Sequence, residues 1–222
     1  MKEGVLLASQ SPRRRALINL LGLPVEVASA DVDETPRRGE APAAYVRRLA
    51  EAKARALAAR QPQGSRWIVA ADTAVVDGDE ILGKPADAAE AVAMLRRLRG
   101  REHAVLTGVA VWDGKTGRWA TAVERTVVVM RPLSDAEIAA YVASGDPLDK
   151  AGAYAIQNRE FAPVAHIEGC YANVVGLPLC MLACLLRQLG ATPADDVPSR
   201  CTAALGYNCD GNLSACLSEA QV

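Results

Sequence analysis

Apolar and polar positions change period along this chain, and the changes mark most of its elements. Val5-Leu6-Leu7-Ala8 is a short apolar run after Gly4 that predicts a buried strand. Pro12 to Leu21 continues as a helix, with Ser11 suited to the N-cap and Pro12 to the first helical position. Val25 to Ser29 alternates like a strand, and Pro42 to about Arg60 carries a helical stripe. Trp67-Ile68-Val69-Ala70-Ala71 predicts a second buried strand, ending at Asp72. Ala86 to Leu98 reads as a helix stopped by Gly100. His103 to Trp112 and Trp119 to Met130 read as a long hairpin turning at Asp113-Gly114-Lys115.

Further on, Ser134-Asp135-Ala136-Glu137 is a capping-box start for a helix reaching Ala143. A loop from Gly145 to Gln157 follows, then two short strands around Val164–Ile167 and Tyr171–Val175, and a helix from Leu179 to Leu189. From Gly190 the periodicity fades. Residues 190–222 read as a linker and a weakly ordered tail holding Cys201, Cys209 and Cys216, with a metal or disulfide appendage as the alternative, and the domain could lose them without harm. Strands and helices alternate early and hairpins come later. The fold class expected is therefore α/β, with a mixed twisted sheet and flanking helices.

Composition narrows the function classes. Of 222 residues half are apolar, enough for one sizeable core. Lys and Arg number 25 against 26 Asp and Glu, so no global field attracts nucleic acid and any anion site must be built locally. With 4% aromatic residues and a single Phe, a stacking platform for single strands is not expected either. No apolar run has membrane-spanning length, and the start does not read as a signal peptide, so the expected compartment is the cytoplasm. Two histidines and six cysteines without a C-x-x-C pair argue against zinc.

The first helical turn is the most unusual local feature. A helix N-terminus favours acidic residues, yet this one carries Arg13, Arg14 and Arg15. Three cations at a positive helix end repel unless an anion sits among them. With the hydroxyls of Ser9 and Ser11 they predict a phosphate cradle. Asp72, at a strand end, is a candidate metal ligand or general base, and Asp33-Glu34 supplies a second carboxylate pair. Two oxygen ligands facing a basic cradle suit Mg²⁺ on a triphosphate. Val46, Leu49, Lys53 and Leu57 share one helical stripe, so Lys53 points inward and needs a phosphate or carboxylate partner. Arg47, Arg48 and Arg55 read as ordinary solvated charges. Lys84, in Gly83-Lys84-Pro85, and Lys150, beside Asp149, are further cations on loops. Gln157 closes the second of those loops.

Taken in order, these segments resemble the Maf family of nucleoside triphosphate pyrophosphatases. The matching runs are S-x-S-P-R-R at Ser9–Arg14, Asp33-Glu34, the region ending at Lys53, A-D-T with L-G-K-P from Ala71 to Pro85, and D-K-A-G-A-Y with Gln157. Val174 to Pro178 completes the series. The resemblance covers about residues 4 to 189 and implies a domain over 1–189 with two lobes and a central cleft. It implies a divalent cation, Mg²⁺ or Mn²⁺, with Asp72 and Glu34 holding the metal or activating water. Ser9, Arg13, Arg14, Lys53 and Lys84 would hold phosphates, Ser11 and Lys150 would join the substrate site, and Gln157 would read the base. D-K-A-G-A-Y-x-I-Q resembles the branch that hydrolyses dTTP and UTP rather than the one acting on 7-methyl-GTP. Cys170 departs from the family, which often has Ser there. A nucleotidyltransferase, or a non-catalytic nucleotide sensor linked to septum formation, are the alternatives, and a homodimer is an open expectation.

Overall fold

The computed structural model describes residues 4–60 and 67–209. Cys216, expected in the tail, lies outside the described residues. Seven strands form one mixed sheet: β1 (Val5–Ala8), β2 (Val25–Ala28), β3 (Trp67–Asp77), β4 (Glu80–Leu82), β5 (Glu102–Asp113), β6 (Trp119–Met130) and β7 (Val164–Glu168). Their order is β2-β1-β3-β5-β6-β7, with β4 pairing β3 alone. β1 is parallel to β2 and β3, and every later pairing is antiparallel. The expected mixed α/β sheet is what forms.

Among the described residues seven α-helices flank it: α1 (Pro12–Ile18), α2 (Pro42–Ala58), α3 (Ala88–Leu98), α4 (Asp135–Ala143), α5 (Tyr171–Val175), α6 (Leu179–Gln188) and α7 (Val197–Leu205). The Ser134–Glu137 capping box is present in full at α4. α2 covers one face of the sheet through Leu49, Ala50, Ala54 and Leu57, all at most 3% exposed. Its close approach depends on Gly108 of β5, where a Cβ would lie 2.3 Å from the Val46 carbonyl oxygen.

Each face of the sheet splits into two apolar clusters, and the split falls at the same place on both. On one face Trp67, Val69 and Ala71 belong to one cluster and Val75 to another. On the α2 face Ile68 and Ala70 belong to one, Ala74 and Val76 to another. Asp72 and Thr73 sit at the seam, opposite Gly108 and Thr107 of β5. β1 pairs β3 only up to Val69, and β4 joins only from Val75. The edge of β3 between them is open, and a cleft occupies that gap.

Three expectations are corrected. β3 runs on to Asp77, so Asp72 lies in mid-strand; it stands past the end of β1 rather than the end of its own strand. Tyr171–Val175 is helix α5, not a strand. The β-branched pair Val174-Val175 suggests a strand, but tertiary contacts prevail. Asn173 is fully buried, and its amide donates to Val105 O and Thr126 Oγ1, both at 2.9 Å. The stretch expected to be a weakly ordered tail contains α7. Val197, Cys201 and Leu205 recur every fourth residue and pack on the main cluster, and Gly206 at φ 67° ends the helix.

Candidate active site

The cleft has a volume of about 990 Å³ and is lined by Ser9, Ser11, Arg13, Arg14, Glu34, Lys53, Asp72, Lys84, Lys150 and Gln157, among others. All ten candidate residues from the sequence therefore share one cavity.

Asp72 and Lys53 form its base. Both are buried, at 7% and 8% exposure. Lys53 Nζ lies 2.5 Å from Asp72 Oδ1 and 2.6 Å from Glu34 Oε1. Of the two partners left open for Lys53, the carboxylate is the one observed. Burial pushes the Asp72 carboxyl above its ordinary range, while the Lys53 and Arg14 charges pull the other way. Glu34 reaches the site from the loop between β2 and α2, which α2 pins down. Tyr45 Oη donates to the Glu34 carbonyl at 3.0 Å. Arg48 donates to both oxygens of Glu40, at 2.6 and 2.7 Å, and to Thr35 O at 3.2 Å. Arg48 is thus a loop clamp, not the solvated charge expected; its fork holds Glu40 at a pKa of about 2.

The wall opposite comes from the β1–α1 turn. Ser11 caps α1, its Oγ accepting from Arg14 N at 3.4 Å, and Ser9 Oγ accepts from Ser11 N at 3.2 Å. These contacts use amides that an anion would otherwise take, and Pro12 has none. Two of the turn's amides are therefore committed within the turn, which leaves a larger share of any anion contact to the side chains. Arg14 is fixed: Nε donates to Gly176 O at 2.8 Å and Nη2 to Thr73 Oγ1 at 2.9 Å. Behind Thr73, its hydroxyl lies 2.8 Å from Thr107 Oγ1, which donates to Asn173 O at 3.3 Å. The chain Arg14–Thr73–Thr107–Asn173 crosses the seam between the clusters. Sequence reasoning missed Thr107, Asn173 and Tyr45. Only the A-D-T motif hinted at any of this, through Thr73.

The remaining candidates arrive on two linked loops. Gly152 N donates to Gly83 O at 3.0 Å, joining the segment with Lys84 to the one with Lys150 and Gln157. Gly152 has φ 67°, and a Cβ there would meet Val75 at 2.9 Å. Lys84 and Gln157 are exposed to the cleft. Lys150 differs. Its ammonium donates to Asp146 O at 2.6 Å and Asp149 Oδ1 at 2.5 Å, and lies 3.0 Å from Asp146 Oδ1. It borders the cleft while holding its own loop together. With Lys53 and Lys150 held by carboxylates, Arg13, Arg14 and Lys84 are the remaining cations that line the cleft.

The chemistry of the donor set suits a hard cation, since Asp72 and Glu34, held together on Lys53 Nζ, offer only oxygen. Among the described residues no group of three or more His, Cys, Asp or Glu could hold a metal ion by itself. A metal here would complete its shell with substrate oxygens and water, as Mg²⁺ commonly does.

Cations facing a carboxylate pair, in the edge gap of a mixed α/β sheet, define a protein class with a built cleft for a phosphorylated ligand. The chain belongs to the Maf family: the model described as Maf-like protein matches residues 4–189. It is 50% identical over 192 residues to the dTTP/UTP pyrophosphatase of Geobacter sulfurreducens, covering 86% of this chain and 100% of that one. It is 56% identical to the enzyme of that name from Salinibacter ruber, over 82% of this chain and 89% of the other. The Myxococcus xanthus dTTP/UTP pyrophosphatase is 53% identical, over 84% and 92%. A solved protein from Vibrio cholerae overlaps loosely, with TM-score 0.37 at 13% identity over 65% of this chain and 79% of that one.

Proposed function

We propose that this chain hydrolyses dTTP and UTP to the monophosphate and pyrophosphate, removing nucleotides from the pool. The observation that carries the reading is the Lys53-held Asp72–Glu34 pair, set across one cleft from Arg13, Arg14 and Lys84. Its relatives at 50–56% identity bear the name of this activity.

Arg13, Arg14 and Lys84 hold the phosphate oxygens, and Arg14, its fork already fixed at two nitrogens, loses little freedom in doing so. Lys53 keeps Asp72 and Glu34 side by side. Asp72, raised by burial, accepts a proton from the attacking water. The water oxygen bonds to the α-phosphorus, the bond from phosphorus to the bridging oxygen breaks, and pyrophosphate leaves with that oxygen. A divalent cation, Mg²⁺ or Mn²⁺, held by Asp72 and Glu34, would neutralise phosphate charge and orient the water. Gln157 presents a donor and an acceptor that match the O4 and N3–H edge shared by uracil and thymine. A wrong base leaves that edge unpaired, at a cost of about 1–3 kcal/mol.

The test is pyrophosphate release from a panel of nucleoside triphosphates, repeated in heavy-oxygen water. Preferred turnover of dTTP and UTP, label in the monophosphate, and loss of turnover in excess EDTA restored by Mg²⁺ are expected. Label in orthophosphate, faster turnover of GTP, or undiminished turnover in EDTA would each defeat the corresponding part.

A further inference from the structure

Apart from the cleft, a second cavity of about 180 Å³ is lined by four thiols, Cys170, Cys180, Cys201 and Cys209. They reach it from separate stretches: the residue capping α5, the first turn of α6, the middle of α7, and the chain beyond α7. Cys180 Sγ and Cys209 Sγ stand 3.9 Å apart, although the residues are 29 positions apart in sequence. No group of three or more His, Cys, Asp or Glu among the described residues is arranged to hold a metal ion.

Their backbones decide which sulfur can move. Cys201 lies inside α7 at 3% exposure, and Cys170 Sγ accepts from Asn173 N at 3.4 Å as the cap of α5. Both are held by helices packed on the core, and so is Cys180 in the first turn of α6. Cys209 lies past the Gly206 turn, on non-helical chain tied to α7 by its own N–H on Thr202 Oγ1 at 3.1 Å. Its sulfur, which also meets that of Cys201, can advance on Cys180, 3.9 Å away, without moving a helix.

We propose that Cys180 and Cys209 form a reversible disulfide, made by exchange with a low-molecular-weight disulfide such as oxidised glutathione, which locks α7 onto the core. The Cys209 thiolate attacks one sulfur of oxidised glutathione, forming a mixed disulfide and expelling one glutathione thiolate. The Cys180 thiolate then attacks the Cys209 sulfur and expels the second. Two electrons pass to the oxidant, and the two protein protons end on the two glutathione thiols. Burial pushes the Cys180 thiol up, so the second step is slow, and the bond forms over a long exposure to oxidant. Bridging residues so far apart in sequence restricts the unfolded chain, and the melting temperature rises by about 5–10 °C.

The experiment uses the full chain, reduced and then equilibrated with excess oxidised glutathione before the remaining thiols are alkylated. Two of the six thiols should disappear, and a non-reduced digest should yield one linked pair containing Cys180 and Cys209. The rise in melting temperature should reverse with dithiothreitol. It should be absent from Cys209→Ser and, as an independent check, from Cys180→Ser. Retention of all six thiols, glutathione left attached to a single cysteine, or a linked pair involving Cys170, Cys184, Cys201 or Cys216 overturns the proposal. None of these outcomes depends on nucleotide hydrolysis.

Discussion

Lys53 of α2 and Asp72 of β3 meet at 2.5 Å, and the same ammonium lies 2.6 Å from Glu34. One cation thus holds two carboxylates that like charge would otherwise drive apart. It does so from a helix whose position is fixed by packing rather than by the site itself.

Asp72→Asn tests the role of that pair. The amide keeps the shape but neither accepts a proton nor carries charge. Turnover should fall by about 10²–10⁴-fold, with the affinity for a non-hydrolysable dTTP analogue changed by only a few fold. Steady-state kinetics beside equilibrium binding reads both, and a near-wild-type rate would mean that Asp72 is a structural residue.

Arg14→Lys tests the fork. The charge is retained, but the bonds to Gly176 O and Thr73 Oγ1 cannot both be made by an ammonium on a flexible stem. Loss of charge-assisted bonds of this kind is worth about 1.5–3 kcal/mol, which should be read as a drop in kcat/KM. Thr73→Val should reproduce part of it. Equal kcat/KM for wild type and Arg14→Lys would show that charge alone suffices.

Gly108→Ala tests whether packing positions Lys53. The new methyl would lie 2.3 Å from the Val46 carbonyl oxygen and 2.7 Å from Arg47 N, both helix backbone. α2 must shift as a body, at a cost of about 3 kcal/mol or more. Both the melting temperature and turnover should fall. Unaltered stability would mean that α2 moves away freely.

His103 predicts a pH dependence of stability. It is 3% exposed and bonded through Nε2 to Tyr154 Oη at 2.7 Å, and burial lowers its pKa from 6.5 to about 4. The unfolded chain gains this proton near pH 6.5, the folded chain only near 4. The neutral form is the one the fold holds, so stability falls as pH drops through that window, by about 3 kcal/mol in all. His103→Gln should flatten this part of the curve of melting temperature against pH. An unchanged slope in the variant would remove His103 as the cause.

Truncation before Thr192 tests α7. Removing it exposes the surface now covered by Val197, Cys201 and Leu205. One buried valine alone contributes about 1.5–3 kcal/mol, so the melting temperature should drop by several degrees. A truncated chain as stable as the full one would show that α7 rests on the core without stabilising it.

The sequence by itself determined the local elements and the list of chemical groups. Ser11-Pro12 could only begin a helix, the 134–137 capping box had one local solution, and the inward stripe of α2 committed Lys53 to a buried partner. These follow from backbone sterics, hydrogen bonding and burial within a few residues. The short-range signal failed where distant contacts outweighed it. The apolar run breaks at Asp72 and so suggests a strand end there, yet pairing with β5 and β4 carries β3 on to Asp77. Tyr171–Val175 became a helix because Asn173 finds its partners on β5 and β6. Only the tertiary structure decided that Asp72 faces Lys53 while its neighbour Thr73 faces Arg14. Successive residues of a strand point to opposite sides of the sheet, and which side meets which helix is set by the packing of the whole chain.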